Sequence, residues 1–195
     1  MEKIRNIYNN HCNRPSDINE HLPTLLKYSE ECSHITEMGV RWVSSTWALL
    51  LSNPGKLISY DIVKDDKVNE VIDLSKEYGI NYVFNESDVL HCEIEPTELL
   101  FIDTLHVYNQ LTQELDLHSD KVSKYIILHD TVSFGYVDEI IYAHCSDSIK
   151  TKSTTKTGLM AAVNDFLLTE KGSHWFIHDI YDNNNGLLVL KRKNN

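Results

Sequence analysis

After residue 33 the chain alternates between short apolar runs and longer stretches in which apolar side chains recur every three or four positions. The runs His34–Met38, Lys56–Tyr60, Ile80–Phe84, Leu99–Ile102 and Tyr125–Leu128 read as strands. The intervening segments carry helical periodicity. One runs from Arg41 to Ser52 and is stopped by Asn53-Pro54-Gly55; another runs from Lys67 to Glu77 and is ended by Gly79. Tyr108, Leu111 and Leu115 share a helical face, as do Leu159, Val163, Phe166 and Leu167. Two last apolar runs, His174–Ile180 and Leu187–Leu190, flank an Asn-rich loop ending in Asn185-Gly186, a hairpin signal. The pattern predicts an α/β, Rossmann-like doubly wound fold of about seven strands, mostly parallel, with a C-terminal antiparallel hairpin.

Residues 1–30 read as an N-terminal helical segment ahead of a domain spanning 31–195. Ser16-Asp17 looks like a helix start, Ile18, Leu22, Leu25 and Leu26 share a face, and Pro23 should kink or divide that helix. Trp42 and Trp47, both in the first crossover helix, are expected in the core. The polar stretch Ser148–Thr157 reads as a mobile loop.

Composition narrows the partners. Of the 195 residues, 29 are Asp or Glu and 18 are Lys or Arg, a formal net charge of −11, which disfavours nucleic acid and anionic membranes. Lys191-Arg192-Lys193 is then a short solvated tail. Cys12, Cys32, Cys92 and Cys145 are far apart and follow no apolar leader, so reduced thiols in a cytoplasmic protein are expected. Oligomeric state is left open, a homo-oligomer included.

Charge placement is more telling than its sum. Five successive strands end in or run into an acid: Glu37, Asp61, Asp88, Asp103 and Asp130. Any one of them could be a helix cap. Together they lie where open parallel sheets bind ligands, and they ask for a hydroxyl-rich or cationic ligand such as a nucleoside, with a cation near the later strands. The segment Glu37-Met38-Gly39-Val40-Arg41 has one Gly where a dinucleotide fingerprint has three, which disfavours a nicotinamide-dependent oxidoreductase. Gly39 still permits close backbone approach, and Ser44, Ser45 and Thr46 offer donors nearby; a plain strand-to-helix turn is the alternative.

These residues, with Ser87-Asp88-Val89-Leu90, Phe101-Ile102-Asp103-Thr104-Leu105-His106-Val107-Tyr108 and Leu128-His129-Asp130-Thr131, resemble class I S-adenosylmethionine-dependent methyltransferases. The nearest likeness is to the macrocin-type sugar O-methyltransferase and cephalosporin hydroxylase-like branch. The resemblance covers about residues 30 to 192. It implies that Glu37 and Gly39 lie beside the methionine part of the cofactor, that Asp61 binds the ribose hydroxyls, and that Asp88 lies near the adenine amino group. It also implies a divalent cation, Mg²⁺ or Mn²⁺, held by Asp103, His129 and Asp130, where His129 stands in place of an acid. His106, three residues after Asp103, matches a catalytic Asp–His pair and would act as the base; packing on the helix that follows is the other reading. The implied acceptor is a small molecule carrying a hydroxyl, a sugar or nucleotide sugar. A rival reading is a non-catalytic relative that binds a nucleoside or a partner protein. His174 and His178 read as a packed or solvated stripe.

Overall fold

The computed structural model describes residues 1–140 and 155–193. Its strands are β1 (His34–Met38), β2 (Lys56–Asp61), β3 (Asn81–Glu86), β4 (Thr97–Ile102), β5 (Val122–His129), β6 (Trp175–Tyr181) and β7 (Leu187–Arg192). They form one sheet in the order β3-β2-β1-β4-β5-β7-β6. The first five are parallel, and β7 runs antiparallel between β5 and β6. The predicted sheet is therefore present, hairpin included.

Alternation along the central strands divides the core in two. Leu99, Phe101, Tyr125 and Ile127 point to one face, where they meet α1 (Glu2–Asn13), α2 (Leu22–Ser29), α3 (Ser44–Leu51) and α4 (Lys67–Tyr78). Leu100, Ile102, Ile126 and Leu128 point to the other, covered by α5 (Tyr108–His118) and α6 (Leu159–Leu167). The N-terminal segment shares the first core: Ile4, Leu22, Leu25 and Tyr28 pack with Trp47 and Leu50. Proline divides it as expected, since Asn19–His21 forms a 3-10 turn and Pro23 sits in the first turn of α2.

Two expectations change. The first crossover helix begins at Ser44 rather than Arg41, because Arg41 (φ 45°) and Val43 (φ 61°) take left-handed backbone conformations that no helix accepts. Trp42 is consequently 50% exposed, with Arg41 4.1 Å from its ring, while Trp47 is core as expected. Helix α1 carries a polar sequence and is anchored by Ile4 and Tyr8, one turn apart. Residues 148–154 of the polar stretch, and Cys145, lie outside the described residues.

Candidate active site

Strand order reverses between β1 and β4, and the chain leaves both strands at a single point of contact. Gly39 adopts φ +86°, and a Cβ there would meet the Asp103 carbonyl oxygen at 2.0 Å, so only glycine fits. Its N–H donates to the Tyr60 carbonyl (2.9 Å), and the Asp103 N–H donates to that of Met38 (2.8 Å). Asp61 then shapes the turn, its Oδ2 accepting from the N–H groups of Val40 (2.8 Å) and Arg41 (3.0 Å). Val43 occupies the conformation in which a later glycine would be at ease. A β-branched residue in left-handed backbone is strained, by roughly 1 to 2 kcal/mol.

Glu37 lies beneath this turn and does not line the cleft. It is fully buried and accepts hydrogen bonds from Ser45 Oγ (2.7 Å), Thr46 Oγ1 (2.9 Å) and Ser59 Oγ (2.6 Å). Burial pushes its carboxyl up to about 7, and the three hydroxyls offset part of that effect. The side chains of Ser45 and Thr46 are thus committed to Glu37.

Above the turn opens a cleft of about 410 Å³ whose walls include Gly39, Asp61, Asp88, Asp103, His106 and Glu139. Asp88 caps the short turn Val89–His91, accepting from the Leu90 N–H (2.9 Å), and pairs with His91 Nδ1 at 3.2 Å. Four carboxylates border the cleft, together with Arg41 and the His106 imidazole.

At its β4–β5 end the acids meet two histidines. His106 Nε2 lies 3.2 Å from Asp103 Oδ1 and 3.0 Å from Asp130 Oδ2; His129 Nδ1 lies 3.2 Å from each of the same two oxygens. Burial alone would raise Asp103, but His129 and His106 outweigh it and hold the carboxyl well below its ordinary range. The same balance, read from the other side, raises both imidazoles: burial lowers them, and the surrounding carboxylates more than reverse that. Asp103, His129 and Asp130 each offer one atom within 4.8 Å of the others, and Asp130 Oδ1 and His129 Nε2 are buried without a partner. Two carboxylate oxygens and an imidazole nitrogen, drawn together against their own desolvation, fit a divalent cation.

Sequence reasoning missed two acids here. Glu139 follows β5 by ten residues, yet its Oε2 lies 2.9 Å from His106 Nδ1, and its N–H donates to the His106 carbonyl. Asp138 fixes that segment by accepting from the N–H groups of Tyr108 and Gly158, and Phe134 stacks on the His106 ring at 5.0 Å. The second is Glu114 on α5, fully buried, accepting from Thr104 Oγ1 (2.6 Å) and Gln110 Nε2 (2.7 Å). Burial pushes it up to about 7, with those two bonds opposing. Its position among Leu111 and Leu115, on a face that should be apolar, was the available signal.

No protein-family model matches the chain, and no curated protein matches it in sequence. Solved structures do match in shape. The methyltransferase of Podospora anserina, bound to S-adenosylhomocysteine, superposes with a TM-score of 0.59 at 11% identity over 99% of this chain and 97% of that one. A protein assigned as an O-methyltransferase, from Klebsiella pneumoniae, gives 0.60 at 15% over 93% and 82%. An rRNA methylase from Escherichia coli gives 0.56 at 14% over 91% and 65%. With seven strands in this order and β7 antiparallel, the chain has the fold of the class I S-adenosylmethionine-dependent methyltransferases.

Proposed function

We propose that this chain is an S-adenosylmethionine-dependent O-methyltransferase acting on a hydroxyl of a small polar acceptor, a sugar or nucleotide sugar, with a divalent cation at Asp103, His129 and Asp130. One observation carries the reading: the cleft with Asp61 and Asp88 at one end has His106 at the other, its ring oriented through both nitrogens. We assign it to the macrocin-type branch on its Asp103–His106 spacing. A cytoplasmic location is the setting we assign.

When bound, the cofactor supplies a methyl group activated on a sulfonium, and the cation supplies positive charge beside the acceptor oxygen. The chain's residues do the rest. Asp61 Oδ1, whose near contact is a 3.2 Å bond from the Val63 N–H, keeps capacity to accept from ribose hydroxyls, and Asp88 is placed to accept from an amino group. Glu37 supports this end from below, where it anchors Ser45 and Thr46 at the start of α3. Acidic walls favour a sulfonium over an anion. With its Nδ1–H directed to Glu139, His106 would have Nε2 free to receive the acceptor's proton once the charge of Asp103 and Asp130, which otherwise keeps that nitrogen protonated, is offset by a bound cation.

The second reading, a nucleoside- or partner-binding protein without turnover, draws on Val43 and on the two turn amides that already occupy Asp61 Oδ2. Calorimetry with S-adenosylmethionine, with and without Mn²⁺ or Mg²⁺, followed by release of S-adenosylhomocysteine across a panel of sugars and nucleotide sugars, separates the two. Expected are cofactor binding that Asp61→Ala weakens, and turnover that His106→Ala lowers by roughly 10² to 10⁴ while binding persists. Absence of binding at millimolar cofactor overturns the first reading; binding with no turnover, unaffected by His106→Ala, favours the second.

A further inference from the structure

Beneath the acid and histidine cluster, between β4, β5 and α5, lies a second cavity of about 10 Å³, roughly the space of one water. Its walls are apolar apart from a few groups, and they include Thr104, His106, Glu114 and His129. Glu114 uses Oε1 for both of its hydrogen bonds, and its Oε2 is buried without a partner. His129 uses Nδ1 toward Asp103 and Asp130, and its Nε2 is likewise buried without a partner. Each such atom costs roughly 1 to 3 kcal/mol if left unsatisfied. Both belong to residues that border one water-sized space, so a single water held there would remove both costs.

We propose that Glu114 is a positioning residue for His129, acting through one water held between Glu114 Oε2 and His129 Nε2. With Nε2–H engaged from below, the ring cannot rotate and Nδ1 stays aimed at the two aspartates. Imidazoles that hold cations are generally steered this way by a carboxylate, carbonyl or water on the opposite nitrogen. The bond from Thr104 Oγ1 and that from Gln110, one turn before Glu114, fix the carboxylate so that Oε2 is the free oxygen. The proposal rests on the cation reading only for its effect on metal affinity; the water bridge stands apart from it.

The test therefore has two readouts on the full chain. In metal-free protein labelled with ¹⁵N-histidine, the His129 Hε2 should be a slowly exchanging proton that cross-relaxes with a bound water. Glu114→Gln should shift the His129 Nε2 resonance, and Glu114→Leu should abolish the protection. Thr104→Val, which removes a donor to Oε1 and leaves Oε2 in place, should retain the water contact and controls for general loosening. In Mn²⁺ titrations, Glu114→Gln should weaken affinity roughly 10- to 100-fold. An unchanged His129 resonance in both Glu114 variants overturns the proposal, whatever the metal result; a shifted resonance in a protein that binds no Mn²⁺ sustains the bridge and removes the cation reading instead.

Discussion

Two carboxylates, one buried and one partly so, stand at the ends of the paired strands β1 and β4 and carry opposite charge behaviour. Glu37, at the end of β1, is surrounded by three hydroxyls and is pushed up to about 7. Asp103, just past the end of β4, is flanked by two imidazoles and held far below its ordinary range. Both are desolvated. Hydroxyls donate hydrogen bonds without supplying charge, so they soften burial and do not reverse it; imidazoliums supply charge and do reverse it. The β1 side of the switch point is therefore built to keep its acid close to neutral, and the β4–β5 side to keep its acids ionised.

The largest effect that tests this contrast is Asp103→Asn. It removes a charge shared by His106 and His129 and should cost about 3 to 5 kcal/mol at pH 7, read by chemical denaturation. Glu37→Gln at the same pH should cost little or stabilise, and equal losses from the two would erase the distinction. The next effect is in pH. Folding raises the proton affinity of Glu37 from the ordinary 4.5 to about 7, so the folded state binds more protons at this group in that interval and its contribution to stability falls as pH climbs through it. The fall should amount to a few kcal/mol, at about 1.4 kcal/mol per tenfold change in affinity. Glu114 behaves alike, while His11, His21, His34 and His118, lowered by burial, act in the opposite sense; the difference in stability between wild type and Glu37→Gln should therefore fall between pH 4.5 and 7 in denaturation series, and a constant difference would place the titration elsewhere. The smallest effect concerns the turn joining the two regions. Val40 and Val43 are both buried, but only Val43 has positive φ, so Val43→Gly should be less costly than Val40→Gly by about 1 kcal/mol in thermal unfolding.

Most of the sheet was legible because buried parallel strands are uninterrupted apolar runs, as in Leu99–Ile102 and Tyr125–Leu128. The strand-end acids were legible for the same reason, since the runs mark where the strands stop. Their partners were less so. Asp88 does cap a turn, the plainer of its two readings, while it also borders the cleft. Ser45 and Thr46 read as donors for a ligand, but their distance from Glu37 is set by how α3 lies across β1, which periodicity does not encode. Trp42 was misplaced because apolar spacing does not register left-handed residues at Arg41 and Val43. Glu139 was invisible for a third reason: it reaches His106 through a loop held by Asp138, and loop paths follow side-chain bonds rather than pattern.

The pairing of β1 with β4, which sets Ile35 opposite Leu99, has a kinetic side. Segments far apart in sequence meet only after a large loss of chain entropy, and such contacts slow folding. The walls of the cleft come from the segments that follow β1, β2, β3 and β4, with Glu139 from beyond β5, so it takes shape only once β1 has paired with β4. Occupancy of the cleft is thereby a report on that long-range pairing, and a ligand that fits it stabilises the pairing once made.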